Sequence, residues 1–311
     1  MIDVALLGTG GMMPLPHRYL TSLICRIDGS LLLIDCGEGT QITLKLLGWG
    51  YKNIDVICFT HFHADHISGL PGMLLAIGNS CRTEPLLIIG PRGIRNVVER
   101  LRVIAPVLPF EITFEELPVN AGEFKANNGE PFTNGEYLLS ALPLDHGMPC
   151  LAYKIELKRA GKFDLERAEK LDLPKIYWKH LQRGEDVEYD GRRFTPDMVL
   201  GGARRGLKLC YCTDTRPTWE LPEFINGADL FVCEGIYGDD EKLDKVTEHK
   251  HMLFSEAAAI ARDGGVDELW LTHFSPAMPD PENYIDIARA VFPNTKLGRD
   301  RKTKTLIFKD E

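Results

Sequence analysis

Short apolar runs and amphipathic stretches alternate along the first half of the chain. Apolar runs of four to eight residues are typical of buried strands, and apolar residues at helical spacing are typical of helices. This pattern predicts strands at residues 2–8, 22–28, 31–37, 55–60 and 86–90. It predicts helices at residues 37–48, 67–80 and 93–105.

The second half of the chain repeats this plan. Strands are predicted at residues 137–144, 151–157, 207–214, 228–234 and 268–274. Helices are predicted at 255–265, with Ser255 as the N-cap, and at 281–292. Two β-rich halves with helices outside them predict an αββα sandwich. Residues 158–205 interrupt the pattern, because they are rich in charge and lack strong strand patterns, and we expect them to project as an arm.

Composition agrees with a globular protein without a membrane span. The 311 residues are 44% hydrophobic and 26% charged, and no apolar run reaches the length of a bilayer. The N-terminus reads as a first strand and not as a signal peptide. None of the eight cysteines forms a CxxC pair, and most lie in apolar runs, so reduced thiols and a cytoplasmic location are expected.

Charge is distributed unevenly. The formal net charge of −9 argues weakly against a nucleic-acid partner. Residues 158–208, however, hold 13 Lys and Arg against 9 Asp and Glu. The rest of the chain holds 23 Lys and Arg against 36 Asp and Glu. A solvated arm of mixed charge and a basic binding surface both fit this segment.

Four potential metal ligands follow the strand at 55–60, in the sequence HFHADH. Imidazoles and a carboxylate suit a borderline cation such as zinc. His61 and His63 can converge on one ion, and after the chain turns into a helix, Asp65 and His66 can face a second.

A single turn cannot complete two metal coordination shells, so further ligands must come from other strand ends. His146, Asp214 and His273 each follow an apolar run, although each of them alone would be ambiguous. We predict that His61, His63 and His146 hold one ion. Asp65, His66 and His273 would hold the other, and Asp214 would bridge the two.

The motifs in their order along the chain resemble the ribonuclease Z family of tRNA 3′-processing endonucleases, within the metallo-β-lactamase superfamily. They span nearly the whole chain. They are LGTGG at 7–11, LLLIDCGEGTQ at 31–41, FTHFHADHISGLPG at 59–72, LIIGPRGI at 87–94, LDHG at 144–147, YCTDTRP at 211–217, CEGIY at 233–237 and LTHFS at 271–275.

This resemblance implies a single metallo-β-lactamase-fold domain over residues 1–311, with residues 158–205 inserted as an arm that binds substrate. It implies an endoribonuclease that cleaves the 3′ trailer of precursor tRNA, using two Zn²⁺ per subunit, with Mn²⁺ or Fe²⁺ as alternatives. The ions would activate a hydroxide for attack on the phosphodiester. A homodimer is also implied, in which the arm of one subunit serves the partner's site.

The resemblance also implies catalytic roles for three residues. Asp65 would orient or deprotonate the attacking water, and Glu234 and His251 would protonate the leaving 3′ oxygen. Alternatives remain open, because Glu234 also fits a surface ion pair at a strand end. His249 and Lys250 precede His251, so it is ambiguous which of the two histidines matches the histidine of the family motif. Asp35 fits a residue that braces a ligand histidine, although its turn also fits a purely structural role.

The segments that bind substrate in the family are altered in this chain. PLPHRY at 14–19 keeps Pro14 and Arg18 of a PxKxRN loop, HML at 251–253 replaces HST, and PAMPDP follows LTHFS in place of an Arg-Tyr pair. The arm sequence LPKIYWKHLQRG at 173–184 lacks a Gly-Pro cluster; its basic and aromatic residues suit RNA contacts or a dimer anchor. A hydrolase of small phosphodiesters therefore remains the alternative, and a non-catalytic nucleic-acid binder is a third.

Overall fold

Two seven-stranded sheets form the centre of the molecule. They are seen in a computed structural model that describes residues 1–118, 124–125, 137–202 and 204–309. Strands and helices are numbered along the chain. The first sheet contains β1 (Ile2–Gly8), β2 (Ser22–Ile27), β3 (Ser30–Ile34), β4 (Ile54–Cys58), β5 (Leu86–Pro91), β6 (Ile112–Leu117) and β16 (Thr303–Leu306).

The second sheet has the order β15-β14-β13-β12-β9-β8-β7. Its strands are β7 (Phe124–Lys125), β8 (Tyr137–Leu144), β9 (Cys150–Arg159), β12 (Arg204–Cys212), β13 (Leu230–Glu234), β14 (Leu269–Thr272) and β15 (Thr295–Leu297). Strands β12 to β15 are parallel, whereas β9 is antiparallel to both β12 and β8. Because of that double reversal, β8 runs in the same direction as β12.

Helices cover the outer faces of both sheets. Packed on the first sheet are α1 (Thr40–Leu47), α2 (Ala64–Ile67), α3 (Leu70–Asn79) and α4 (Ile94–Leu101). Packed on the second are α7 (Leu221–Phe224), α8 (Leu243–His249), α9 (Phe254–Asp263) and α10 (Ile285–Val291). No helix in the described ranges is long and apolar enough to cross a bilayer.

The two-residue period of the strands explains the layering. In β1, Val4 and Leu6 point into the core between the sheets, whereas Ala5 and Leu7 pack against the helices outside. Both faces of β1 are therefore buried, which is why its sequence is apolar apart from the partly exposed Asp3. The predicted αββα sandwich is confirmed.

Several local predictions differ from the structure. The helix predicted at 67–80 is two helices, because the Gly69 amide donates to the carbonyl of Cys36. Ser255 is not the N-cap of α9: the helix begins after Leu253, whose amide donates to Glu256 Oε2 at 2.9 Å. The Ser255 hydroxyl instead donates to Asp240. Strands β6, β15 and β16 were not predicted, because they are short or mix charged and apolar residues.

The segment between β9 and β12 forms a small unit with its own apolar cluster. It contains α5 (Leu165–Glu169), α6 (Trp178–Gln182) and the hairpin of β10 (Val187–Tyr189) and β11 (Arg192–Phe194). For residues 163–200, every hydrogen bond to another described residue stays within that range. Tyr177 and Trp178 pack against this cluster, whereas Lys179 and Arg183 are exposed.

Candidate metal centre

Polar side chains collect at one end of the sandwich, where several strands finish. His61 follows β4, His146 follows β8, Asp214 follows β12 and His273 follows β14. Since β8, β12 and β14 run in the same direction, their carboxyl ends lie at the same edge of the second sheet. This is the edge at which layered α/β folds usually place their ligand sites.

The first group of donor atoms comes from three histidines and one aspartate. His63 Nδ1 lies 3.0 Å from His61 Nε2 and 3.2 Å from His146 Nε2. Asp214 Oδ2 lies 3.6 Å from His61 Nε2 and 3.7 Å from His146 Nε2. All four side chains thus direct a donor atom toward one point.

The second group uses the other oxygen of the same aspartate. Asp214 Oδ1 lies 3.2 Å from both His66 Nε2 and His273 Nε2, which are themselves 3.2 Å apart. Asp65 Oδ2 is 3.3 Å from His273 Nε2 and 3.7 Å from His66 Nε2. Asp214 therefore belongs to both groups.

These distances fit a divalent metal ion in each group. Donor atoms about 2.1 Å from a tetrahedral zinc ion lie about 3.4 Å from one another, close to the separations in both groups. Without a cation, the lone pairs of the imidazole nitrogens would face one another. Asp214 Oδ1, which lies among them, has no hydrogen-bond partner among the described residues. Such buried, unpaired polar atoms are costly, so the donor set favours bound cations.

Hydrogen bonds from the opposite ring nitrogens orient three of the histidines. His66 Nδ1 donates to Asp35 Oδ2 at 2.8 Å, and His146 Nδ1 donates to the carbonyl of Lys250 at 3.1 Å. Thr60 Oγ1 gives its hydrogen to Asp35, so it accepts from His61 Nδ1 at 3.0 Å. In each ring the Nε2 lone pair is left facing the metal centre.

The pKa shifts of four side chains favour the protonation states that bind metals, whereas at His66 the charges of Asp214 and Asp35 outweigh burial and raise the pKa. Burial lowers the pKa of His61, His63 and His146, which keeps their imidazoles neutral. Burial acts to raise the pKa of Asp214, but the charges of His273 and His66 outweigh it and hold that pKa well below the ordinary range. A neutral imidazole and an ionised carboxylate are the ligand forms of these side chains.

Unusual backbone conformations support this arrangement. Asp35, Asp214 and His273 have φ values of 59°, 47° and 59°, in the left-handed region that non-glycine residues rarely adopt. Such conformations cost roughly 1–3 kcal/mol and persist where surrounding contacts enforce them, often at functional sites. Gly11 is needed for a related reason, since a Cβ there would lie 2.7 Å from the His273 ring.

A hydrogen-bonded pair lies beside the two donor groups. His251 Nδ1 donates to Glu234 Oε2 at 2.9 Å and lies 3.9 Å from Asp214 Oδ2. The Thr215 amide donates to Glu234 Oε1 at 2.5 Å, so Glu234 is buried and fixed. Burial acts to lower the pKa of His251, but the charge of Glu234 outweighs it and raises that pKa to about 9.

The turn at residues 35–41 uses its amides within the chain. The Cys36 amide donates to the carbonyl of His66, and the Gly37 amide donates to that of Thr21. These two amides therefore tie the turn to α2, which carries His66, and to the residue before β2. The contacts favour a structural role for the turn, with Asp35 as the residue that reaches the centre.

Sequence analysis missed several residues around the metal centre. A cavity of about 290 Å³ over the two donor groups is also lined by Met12, Tyr237, Lys245 and His249. The amide of Met12 donates to Asp65 Oδ2 at 2.6 Å. The glycines before Met12 were a signal for this close approach, whereas nothing in the sequence around Tyr237 and Lys245 indicates that they reach the cavity.

Comparison with known proteins agrees with this geometry. A family profile described as "Anti-Pycsar protein Apyc1" matches residues 2–101, about a third of the chain. Ribonuclease Z of Clostridium kluyveri is 54% identical over 310 residues, covering 100% of both chains. Ribonuclease Z of Lachnoclostridium phytofermentans is 52% identical over 308 residues and 99% of both. The crystal structure of human tRNase Z, short form, superposes with a TM-score of 0.68 at 24% identity, covering 98% of this chain and 100% of that one.

The αββα sandwich, with its histidine and aspartate centre at one end, places the chain among the metallo-β-lactamase-fold proteins. Within that class the full-length identities decide the family. The chain belongs to the ribonuclease Z family, which confirms the resemblance found in its motifs.

Proposed function

We propose that this protein is a metal-dependent endoribonuclease that removes the 3′ trailer from precursor tRNA. The observation that carries the proposal is the pair of donor groups sharing Asp214, found in a chain of the ribonuclease Z family. Paired cations suit phosphodiester hydrolysis, in which negative charge develops on both the attacking and the leaving oxygen.

We assign the donor groups to two Zn²⁺ ions per subunit. His61, His63 and His146 would hold one ion, Asp65, His66 and His273 the other, and Asp214 would bind both. Zinc suits a borderline nitrogen-rich donor set, and Mn²⁺ or Fe²⁺ are alternatives on the same ligands. When bound, such ions acidify water and neutralise charge on a phosphoryl group.

Asp65 would orient the attacking water and accept its proton. Its Oδ2 atom accepts a hydrogen bond from the Met12 amide, so the carboxylate is fixed in place at the wall of the cavity. Burial acts to raise the pKa of Asp65, but the hydrogen bond and charge of His273 and the charge of His66 lower it. The carboxylate is therefore ionised at neutral pH and can act as an acceptor.

Glu234 and His251 would deliver a proton to the leaving 3′ oxygen. The ion pair holds His251 in its protonated form, with the Nδ1 hydrogen bonded to Glu234. Its ring lies 5.4 Å from that of His146 and 5.6 Å from that of His273, beside both donor groups. A cation held there can act as a general acid, and the products would be a tRNA 3′ hydroxyl and a 5′-phosphorylated trailer.

The altered segments motivate the alternative, a hydrolase of small phosphodiesters. Arg18, retained from the PxKxRN loop, donates to the carbonyls of Met278 and Pro279, in the PAMPDP stretch that replaces the Arg-Tyr pair. The loop that would bind substrate is thus tied to the altered stretch. The guanidinium of Arg18 is therefore engaged within the chain, which favours a substrate smaller than RNA under this alternative.

Cleavage of a precursor tRNA tests the two candidates. Zinc-loaded protein is incubated with a trailer-bearing precursor, and the ends of both products are mapped. The proposal expects a single cut next to the discriminator nucleotide with a 3′ hydroxyl on the tRNA. Rapid hydrolysis of bis(p-nitrophenyl) phosphate without precursor cleavage, and without inhibition by tRNA at low salt, would instead favour the small-phosphodiester hydrolase.

We also propose a homodimer. An apolar patch, defined as Ile42, Leu46, Leu75, Val103, Ile104 and Val107, has side chains that are between 41% and 86% exposed. The patch extends over α1, α3 and the turn at Arg102–Ile104. Helix α3 contacts both α1 and this turn. Clusters of exposed apolar side chains are found at subunit interfaces. In a dimer, the arm of one subunit could serve the site of its partner.

Substitution of Ile104 by aspartate is expected to convert the dimer into monomers, because burying a carboxylate in an apolar interface costs several kcal/mol. Light scattering after size exclusion measures the mass, which should fall by half. The matched control is Ile307→Asp, at an exposed position outside the patch, which should leave the mass unchanged. A wild-type protein that is monomeric at micromolar concentration would refute the dimer.

A cytoplasmic location is proposed from the cysteines. All eight are unpaired, and seven are buried. Burial raises the pKa of the Cys25 and Cys36 thiols well above the ordinary value, which makes them unreactive. A chain with eight free thiols suits a reducing compartment such as the cytoplasm.

A further inference from the structure

A second cavity adjoins the one over the metal centre. Its volume is about 340 Å³, and Tyr237 and Lys245 line both cavities. Tyr284 and Asn283 line the second cavity but not the first. Suppose that the scissile phosphate of an RNA strand lies in the first cavity and its next nucleotide enters the second cavity. The strand would then pass Tyr237 and Lys245.

Lys245 is the one lysine or arginine among the described residues that line the first cavity. Its ammonium group lies 5.0 Å from the centre of the Tyr237 ring, and no described carboxylate lies within ion-pairing distance of it. Two other cations near the metal centre are engaged: Lys250 pairs with Asp145 at 2.6 Å, and Arg216 pairs with Glu256. Lys245 therefore lines the cavity in which a phosphodiester would bind, and it has no anionic partner among the described residues.

Tyr237 gives Lys245 a fixed surface to lie against. The ring is buried, and its hydroxyl accepts a hydrogen bond from Ser275 Oγ at 3.1 Å. The neighbouring Val246 side chain is buried in the core and anchors α8. An ammonium over a fixed aromatic ring loses less conformational freedom when it binds an anion than a free surface lysine does.

Two carboxylates also line the second cavity, and each accepts a hydrogen bond from a backbone amide through one oxygen. Asp239 accepts from the amide of Glu241, and Asp280 accepts from the amide of Glu282. They cap turns on the side of the cavity formed by residues 238–242 and 277–284. Lys242 also lines the second cavity, but Lys245 is the one described lysine or arginine that lines both, so the positive charge at their junction comes from Lys245.

We propose that Lys245 binds the backbone phosphate adjacent to the scissile one and so positions the RNA strand across the metal centre. This inference rests on the proposed endoribonuclease function. It makes Lys245 a positioning residue that acts on polynucleotides, because a diester with a single phosphate offers it no adjacent phosphate. The second cavity then holds the nucleotide that carries this phosphate, with Tyr237 beside it.

The test compares two substrates for each variant. The value of kcat/KM is measured for a trailer-bearing precursor tRNA, at several salt concentrations, and for bis(p-nitrophenyl) phosphate. In Lys245→Met the ratio of the two values, precursor over diester, should fall about tenfold. The slope of log kcat/KM for the precursor against log salt should become shallower by about 0.7, the value for one phosphate contact of a single strand.

Two further variants define the result. Lys245→Arg should recover most of the ratio, because arginine also pairs with phosphate. Lys52→Met removes an exposed lysine before β4, at the opposite end of that strand from His61, and should show the ratio and slope of the wild type. Metal content of all variants is measured alongside.

Each outcome decides one question. An unchanged ratio and slope in Lys245→Met would overturn the role of Lys245 alone. So would an equal loss on both substrates, since that would place Lys245 in the chemistry of the metal centre. A wild-type protein that hydrolyses the diester but does not cut the precursor would overturn the proposed function, and this inference with it.

Discussion

Replacing Asp214 by alanine is expected to lower precursor cleavage by about 10³-fold or more and to reduce bound metal below two ions per subunit. Asp214 offers one oxygen to each donor group, so its loss affects both ions together. Substitution of a residue that hydrogen-bonds to a metal ligand typically lowers metal affinity or activity by about 10–100-fold. Substitution of a residue that binds both ions should lower them further. Elemental analysis and single-turnover cleavage measure the two effects.

The control for this variant is an aspartate away from the metal centre. Asp263 is exposed at the end of α9, where it pairs with Arg262 of the same helix. Asp263→Ala should retain both metal content and cleavage rate. An Asp214→Ala protein that keeps two ions and cuts at the wild-type rate would show that the shared carboxylate has no part in the site.

Replacing His251 by alanine should slow precursor cleavage by about 10²–10⁴-fold while leaving the bound metal unchanged. The reason is that a ribose 3′ oxygen is a poor leaving group and requires a proton. A p-nitrophenolate leaving group does not. The variant should therefore hydrolyse bis(p-nitrophenyl) phosphate with a loss of less than about tenfold.

The neighbouring histidine provides the matched control for that variant. His249 resembles His251 in sequence context, but in the structure it is His251 that reaches Glu234. His249→Ala should therefore slow precursor cleavage much less than His251→Ala. Equal losses on both substrates in His251→Ala would show that His251 acts on something other than the leaving group. A metal-depleted variant would point to a structural role.

The sequence was a good guide to the layers and to the strand ends. The strands that lead into the metal centre end in apolar runs because both of their faces are covered there, and the polar residue that follows each run is therefore conspicuous. Asp214 and His273 were identified in this way, and the structure brings them within 3.2 Å of each other. Their roles as ligands remain predictions.

The sequence was a poorer guide where tertiary contacts decide the local structure. The turn between α2 and α3 follows from the Gly69 amide reaching Cys36, and the N-cap of α9 is an apolar residue served by Glu256. Lys245 could not be distinguished from any other surface lysine. Its proposed role depends on the Tyr237 ring and on the two cavities that it lines, and these come together only in the folded protein.

The central claim, that two ions share Asp214, is tested most directly by anomalous diffraction from crystals of the zinc-loaded protein at the zinc edge. The account predicts two peaks per subunit, one among His61, His63 and His146 and the other among Asp65, His66 and His273, with the Asp214 carboxylate between them. Peaks elsewhere, or a fully loaded protein whose Asp214 contacts neither ion, would contradict it.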